Sequence, residues 1–83
     1  MYKARIYVTL RQGILDPAGQ AVQKGLHSQG FVSVRDVRMG KFLEVCLAAT
    51  SEREAAALVR ETCERLLVNP VMEDYTFTLE AQV

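Results

Sequence analysis

The sequence predicts an α+β fold in which two helices lie on one face of a four-stranded antiparallel sheet. Three observations carry that expectation. Tyr2 to Leu10 and Met72 to Ala81 alternate apolar and polar residues, the period of a half-buried strand. Two stretches between them, opening near Asp16 and Ser51, repeat apolar residues at helical spacing. Phe31 to Ala49 is too long for one strand and carries Gly40 near its middle, which predicts two strands joined by a turn.

The first strand sets Tyr2, Ala4, Ile6, Val8 and Leu10 on one side and Lys3, Arg5, Tyr7 and Thr9 on the other. After the turn-like Arg11-Gln12-Gly13, Asp16 is expected to cap a helix that begins at Pro17. A carboxylate accepts the free N–H groups of a first turn, and proline has no N–H to lose there. Ala18, Ala21, Val22, Gly25 and Leu26 form the helix stripe, and Gly30 supplies its stop. Gly25 costs helix propensity, so close packing of this helix on the sheet is its expected reason.

In the central stretch, Arg38-Met39-Gly40-Lys41 reads as a hairpin turn. Beyond it Leu43, Val45 and Leu47 alternate with Phe42, Glu44, Cys46 and Ala48, whereas Val34-Arg35-Asp36-Val37 is less regular and predicts a bulge near Asp36. Ser51-Glu52-Arg53-Glu54 is a capping box. The helix it opens has Ala56, Val59, Cys63, Leu66 and Leu67 as its apolar face and ends at Asn69-Pro70. In the last strand Glu73, Tyr75, Phe77, Leu79 and Ala81 face one way, and Met72, Asp74, Thr76, Thr78 and Glu80 the other. The order βαββαβ is the ferredoxin-like split motif.

At 83 residues the chain is expected to form one domain, residues 1–83. A chain this short buries only about 60% of the surface its unfolded form exposes, so self-association would help it. Ten Lys and Arg balance ten Asp and Glu, far from the basic excess of a nucleic-acid-binding domain. The first residues contain no long apolar run, which excludes a secretory leader or membrane span there and predicts a cytoplasmic location.

Cys46 and Cys63 come with no Cys-x-x-Cys or Cys/His cluster, so no metal site is expected and both are read as small buried hydrophobes. The one histidine, His27, has no Ser, Cys or Asp at an evident triad spacing and is read as structural. Glu73 and Asp74 are adjacent on a strand, so they face opposite ways and cannot bracket one substrate bond. Gly40 between Arg38 and Lys41 could cradle an anion, against the plainer reading of a hairpin turn. Neither G-x-x-x-x-G-K-[ST] nor G-x-G-x-x-G occurs, so no nucleotide is expected by either motif. On the sheet face away from the helices, Tyr7, Phe42 and Cys46 are expected to neighbour one another amid Lys3, Arg5, Glu44, Asp74 and Glu80. Aromatic groups ringed by charges of both signs suit a protein interface.

The whole chain resembles the PurS family, the small subunits of bacterial phosphoribosylformylglycinamidine synthase. The matching stretches are Lys3 to Leu10, Leu15-Asp16-Pro17 with Gly19 and Ala21-Val22, Asp36 to Lys41, and Asn69-Pro70-Val71-Met72-Glu73-Asp74-Tyr75. Pro70 and Gly25 depart mildly from the family pattern. The resemblance implies a homodimer or homotetramer that binds no cofactor. It would bridge a glutaminase subunit to a large synthetase subunit that uses ATP and Mg, and assist ammonia transfer without catalysing a step. It also implies that Asp16, Arg38, Gly40, Lys41, Asn69, Glu73, Asp74 and Tyr75 serve as turn, oligomer-contact or partner-contact residues, beside Tyr7 and Phe42 of the sheet face. An amino-acid-sensing ACT-type module has the same strand order and remains the alternative, with a ligand near Gly13 or Gly40. A stand-alone acylphosphatase would need a glycine-rich phosphate loop after the first strand, which Leu10-Arg11-Gln12-Gly13 does not supply.

Overall fold

The computed structural model describes residues 1–82. In chain order its elements are β1 (Tyr2–Leu10), α1 (Pro17–Ser28), β2 (Gly40–Leu47), α2 (Glu52–Thr62), a π-helical turn (Cys63–Leu67) and β3 (Glu73–Ala81). The three strands form one antiparallel sheet in the order β2-β1-β3. Ala4, Ile6 and Val8 alternate on the inner face of β1, where they form the core with Val59, Cys63 and Val68. Leu43, Val45 and Leu47 of β2 and Tyr75, Phe77 and Leu79 of β3 pack around them. The alternation read in the first and last strands therefore sets the buried face.

The helix ends follow their local chemistry. Asp16 accepts from the Gly19 N–H at 2.9 Å, with Pro17 in the first turn. Gly30 has φ +97° and donates to the His27 carbonyl at 3.1 Å, the left-handed stop that glycine takes without strain. The Ser51 hydroxyl accepts from the Glu54 N–H at 3.1 Å, while the Glu54 carboxylate takes the Thr50 hydroxyl. Half of the capping box forms. Farther on, the Val68 N–H donates to the Cys63 carbonyl at 3.0 Å, five residues back. The extra residue in that turn rotates the side chains that follow, so Leu66, expected on the apolar face, is 83% exposed and Val68 is buried.

The central stretch differs from its expectation. Residues 31–39 form no strand, so the described residues carry three strands rather than four, and no bulge forms at Asp36. Gly40 is the first residue of β2, opposite Thr9, and not a turn. A Cβ there would lie 2.4 Å from the Val8 carbonyl oxygen, so glycine is required by close approach to β1. Without a reversal at Gly40 the chain runs on, and side chains of α1 take its carbonyls. Gln23 Nε2 donates to the Arg35 carbonyl at 2.8 Å, and His27 Nε2 lies 2.6 Å from that of Val34.

Residues 17–39 thus project as an arm. α2 lies over β1 and β3, but Gly19 is the only buried residue of α1. Nothing comes within 4 Å of a Cβ placed on Gly25, so its expected packing on the chain's own sheet is not made. The shape reflects this, with extents of 51 × 29 × 14 Å and a radius of gyration of 16.4 Å. A compact chain of this length would have a radius of about 12 Å.

Candidate functional site

Antiparallel register brings the end of β1 and the starts of β2 and β3 together, pairing Thr9 with Gly40 and Leu10 with Glu73. Asp16, Arg38, Lys41, Asn69, Glu73, Asp74 and Tyr75 gather around that end. Asp16 is buried and closes the base of the arm, its Oδ1 accepting from Gly19 N and its Oδ2 from Met39 N at 2.8 Å. The Met39 bond first, and then that from Gly19, hold its carboxyl below the ordinary value of 3.8. Arg38 donates to the carbonyls of Arg11, at 3.1 Å, and Ile14, at 3.3 Å. The two ends of the arm are therefore cross-braced.

The other residues at this end brace one another as well. Asn69 Oδ1 accepts from the N–H groups of Val71 and Met72, and its own N–H donates to Glu73 Oε1 at 2.7 Å. Lys41 Nζ lies 3.6 Å from Glu73 Oε2 and 3.5 Å from the Leu67 carbonyl, where a cation suits the negative end of a helix. Arg38 and Lys41 are thus committed to different partners, and the anion-cradling and hairpin-turn readings of Gly40 both give way. Glu73 faces inward and Asp74 outward, as adjacent strand residues must. Tyr75 stacks beside Phe77 with centroids 6.4 Å apart, and burial pushes its hydroxyl pKa up.

Arg11 was not singled out by the sequence reading, yet it joins the group. Its N–H donates to the Met72 carbonyl at 2.9 Å, its Nε to that of Glu73 at 3.3 Å, and it sits 3.3 Å from Asp74 Oδ1. Only pairing across the sheet reveals this, because the partners lie more than sixty positions away.

The outer sheet face has the expected neighbours. Tyr7 and Phe42 are opposite in register with ring centroids 5.1 Å apart, and both are about half exposed. Arg5 lies 2.6 Å from Glu80 and 3.8 Å from Glu44, which also faces Lys3 at 3.6 Å. The Arg5 hydrogen bond holds the Glu80 carboxyl below its ordinary 4.5. Cys46 lies on this face and is exposed, so its reading as a buried hydrophobe is corrected, whereas Cys63 is buried and its thiol pKa raised by desolvation. His27 makes the structural contact described above. Among the described residues no group of three or more His, Cys, Asp or Glu could hold a metal, and no helix is long and apolar enough to cross a membrane.

Loss of these carboxylate contacts has a definite sign. The folded-state pKa values of Asp16 and Glu80 are lowered, so their stabilisation is present above the ordinary values of 3.8 and 4.5 and is lost as pH falls through the lowered folded values. The melting temperature is expected to vary little from these two groups between pH 7 and pH 5, by the ordinary values just given, and to fall in stronger acid. Melting curves against pH for the wild type and Asp16→Asn check this, the variant showing the shallower acid dependence.

Comparison with known proteins gives this geometry a context. The family model for PurS, phosphoribosylformylglycinamidine (FGAM) synthase, matches residues 3–81. The chain belongs to the PurS family. Subunit PurS of the synthase from Bacillus subtilis (strain 168) is 47% identical over 83 residues, covering 100% of this chain and 98% of that one. A crystal structure of PurS from B. subtilis, also 47% identical, covers 98% of this chain and 100% of its own with a TM-score of 0.87. The structure of PurLQS from Thermotoga maritima matches at 32% identity over 95% of this chain and 96% of that chain, with a TM-score of 0.86. Such agreement with the B. subtilis structure is not reached if more than a quarter of the chain is placed elsewhere, so the projecting arm is a PurS geometry.

Proposed function

We propose that this chain is the non-catalytic small subunit of a phosphoribosylformylglycinamidine synthase of de novo purine biosynthesis. The reaction converts formylglycinamide ribonucleotide, glutamine and ATP to formylglycinamidine ribonucleotide and glutamate. In this reading the chain forms a homo-oligomer in the cytoplasm and joins the glutaminase subunit to the synthetase subunit. ATP and Mg belong to the synthetase partner. Ammonia must pass between two active sites without being protonated in bulk water, which calls for a sealed assembly.

The observation that carries the reading is the outer sheet face. Tyr7 and Phe42 form an exposed aromatic pair beside Arg5, Glu44 and Glu80, whose ion pairs already hold one another in place. Such a surface loses little side-chain freedom on docking. Asp16, Arg38, Gly40, Lys41, Asn69, Glu73, Asp74 and Tyr75 set the strand ends beside it. The four-stranded ferredoxin-like sheet belongs, in this proposal, to the assembled oligomer.

Co-purification with the glutaminase and synthetase subunits, with and without glutamine and Mg-ADP, tests the assignment. Association is expected, and glutamine-dependent turnover should require this chain while ammonia-dependent turnover should not. The proposal is overturned by no association in any condition, or by full glutamine-dependent turnover without the chain.

A further inference from the structure

We infer that the free edge of β3 takes an added strand from a partner subunit of the complex, an extended segment that carries a carboxylate for Arg60. This deepens the proposed function, on whose partner subunits it rests, by naming the surface that holds one of them.

β3 is an edge strand, paired with β1 along its whole length and with no strand on its other side among the described residues. The Arg11 N–H donates to the Met72 carbonyl at 2.9 Å, and the Gln82 N–H to that of Met1 at 2.8 Å. Even-numbered residues of β3 therefore turn their backbone groups to β1, and the N–H and C=O groups of Tyr75, Phe77 and Leu79 turn outward. A row of unpaired backbone groups is a template for another strand, and proteins block such edges with proline, lysine or a bulge. Glu73–Ala81 contains neither proline nor lysine, and its register with β1 is unbroken.

The open edge also has a wall. Glu52, Ala56 and Arg60 stand one turn apart along α2 and line a groove with residues 75–79. A guest strand in that groove sets small or apolar side chains against Ala56, Phe77 and Leu79, and polar ones beside the exposed Thr76 and Thr78.

Charge decides between guests. The Arg60 guanidinium stands 5.5 Å from the centre of the Phe77 ring, is exposed, and has no ion-pair partner among the described residues. Phe77 is the midpoint of β3. A second copy paired along the full strand puts its two-fold axis there and brings two Arg60 groups together, like charges that oppose the pairing. A foreign strand with Asp or Glu near its centre meets that cation instead, and the planar fork of arginine holds a carboxylate at two points.

The test uses the glutaminase and synthetase subunits as probes, with glutamine and Mg-ADP present. Amide exchange is read residue by residue in this chain, alone and in the complex, and affinity is measured for the wild type, Arg60→Glu, and Arg53→Glu on the wet face of α2, with circular dichroism to verify folding. The Tyr75, Phe77 and Leu79 amides are expected to exchange fast in the chain alone and slowly in the complex. Arg60→Glu should weaken association by about tenfold or more, and Arg53→Glu should not. If those three amides stay fast in the complex, or a folded Arg60→Glu binds as Arg53→Glu does, strand addition is wrong while the small-subunit assignment stands. Slow exchange at the three amides in the chain alone means that a second copy holds the edge, and it overturns the inference. No association of the wild type overturns both.

Discussion

Ile6→Ala is expected to leave the chain largely unfolded at 37 °C. Ile6 is fully buried, sits between Leu43 and Phe77 in register, and belongs to the cluster that contains Val59 of α2. Removing a buried branched side chain costs about 2–5 kcal/mol, the transfer loss plus the cavity left behind. A core in a chain this short supplies about 3–5 kcal/mol in all, so the loss is comparable to the total. Urea titration followed by circular dichroism checks it. Ile6→Val, which removes one methyl group, should cost only about 1 kcal/mol. An unchanged midpoint for Ile6→Ala would mean that the β1 face is not the stabilising core.

Gly40→Val should be nearly as damaging for a different reason. The added Cβ would stand 2.4 Å from the Val8 carbonyl oxygen, a backbone atom that cannot swing aside as a side-chain tip would. β1 and β2 must separate locally, with a cost of about 1–3 kcal/mol of the overpacking kind. The neighbour Lys41→Ala loses an ion pair with Glu73 whose lysine end is more than half exposed and should cost about 1 kcal/mol. Thermal melts of the two variants side by side decide it. Were Gly40 a free hairpin turn, Val would be tolerated better and the order of the two could reverse.

The candidate site was legible in part. The outer-face neighbours followed from strand alternation alone, because a period of two fixes which side chains share a face whatever the rest of the chain does. Residue spacing predicted the caps at Asp16 and Ser51 equally well, since those bonds are made within three positions. The role of Arg11 was not legible, nor was the way in which Lys41 and Glu73 satisfy each other. Those contacts cross the sheet, and local sequence says nothing of which distant carbonyl will arrive beside a guanidinium.

By itself the sequence determined the secondary-structure periods, the two inner strand faces, the helix starts and the family to which the chain belongs. Each depends on spacing that neighbouring residues enforce. Tertiary structure decided the fate of residues 31–39 and of α1. A hairpin and a straight continuation through Gly40 present nearly the same alternation, and they differ only in whether the backbone reverses there or presses against Val8. Because it presses, the predicted second strand leaves its own sheet, the helix stripe stays uncovered, and the pattern that implies four strands yields three in one chain.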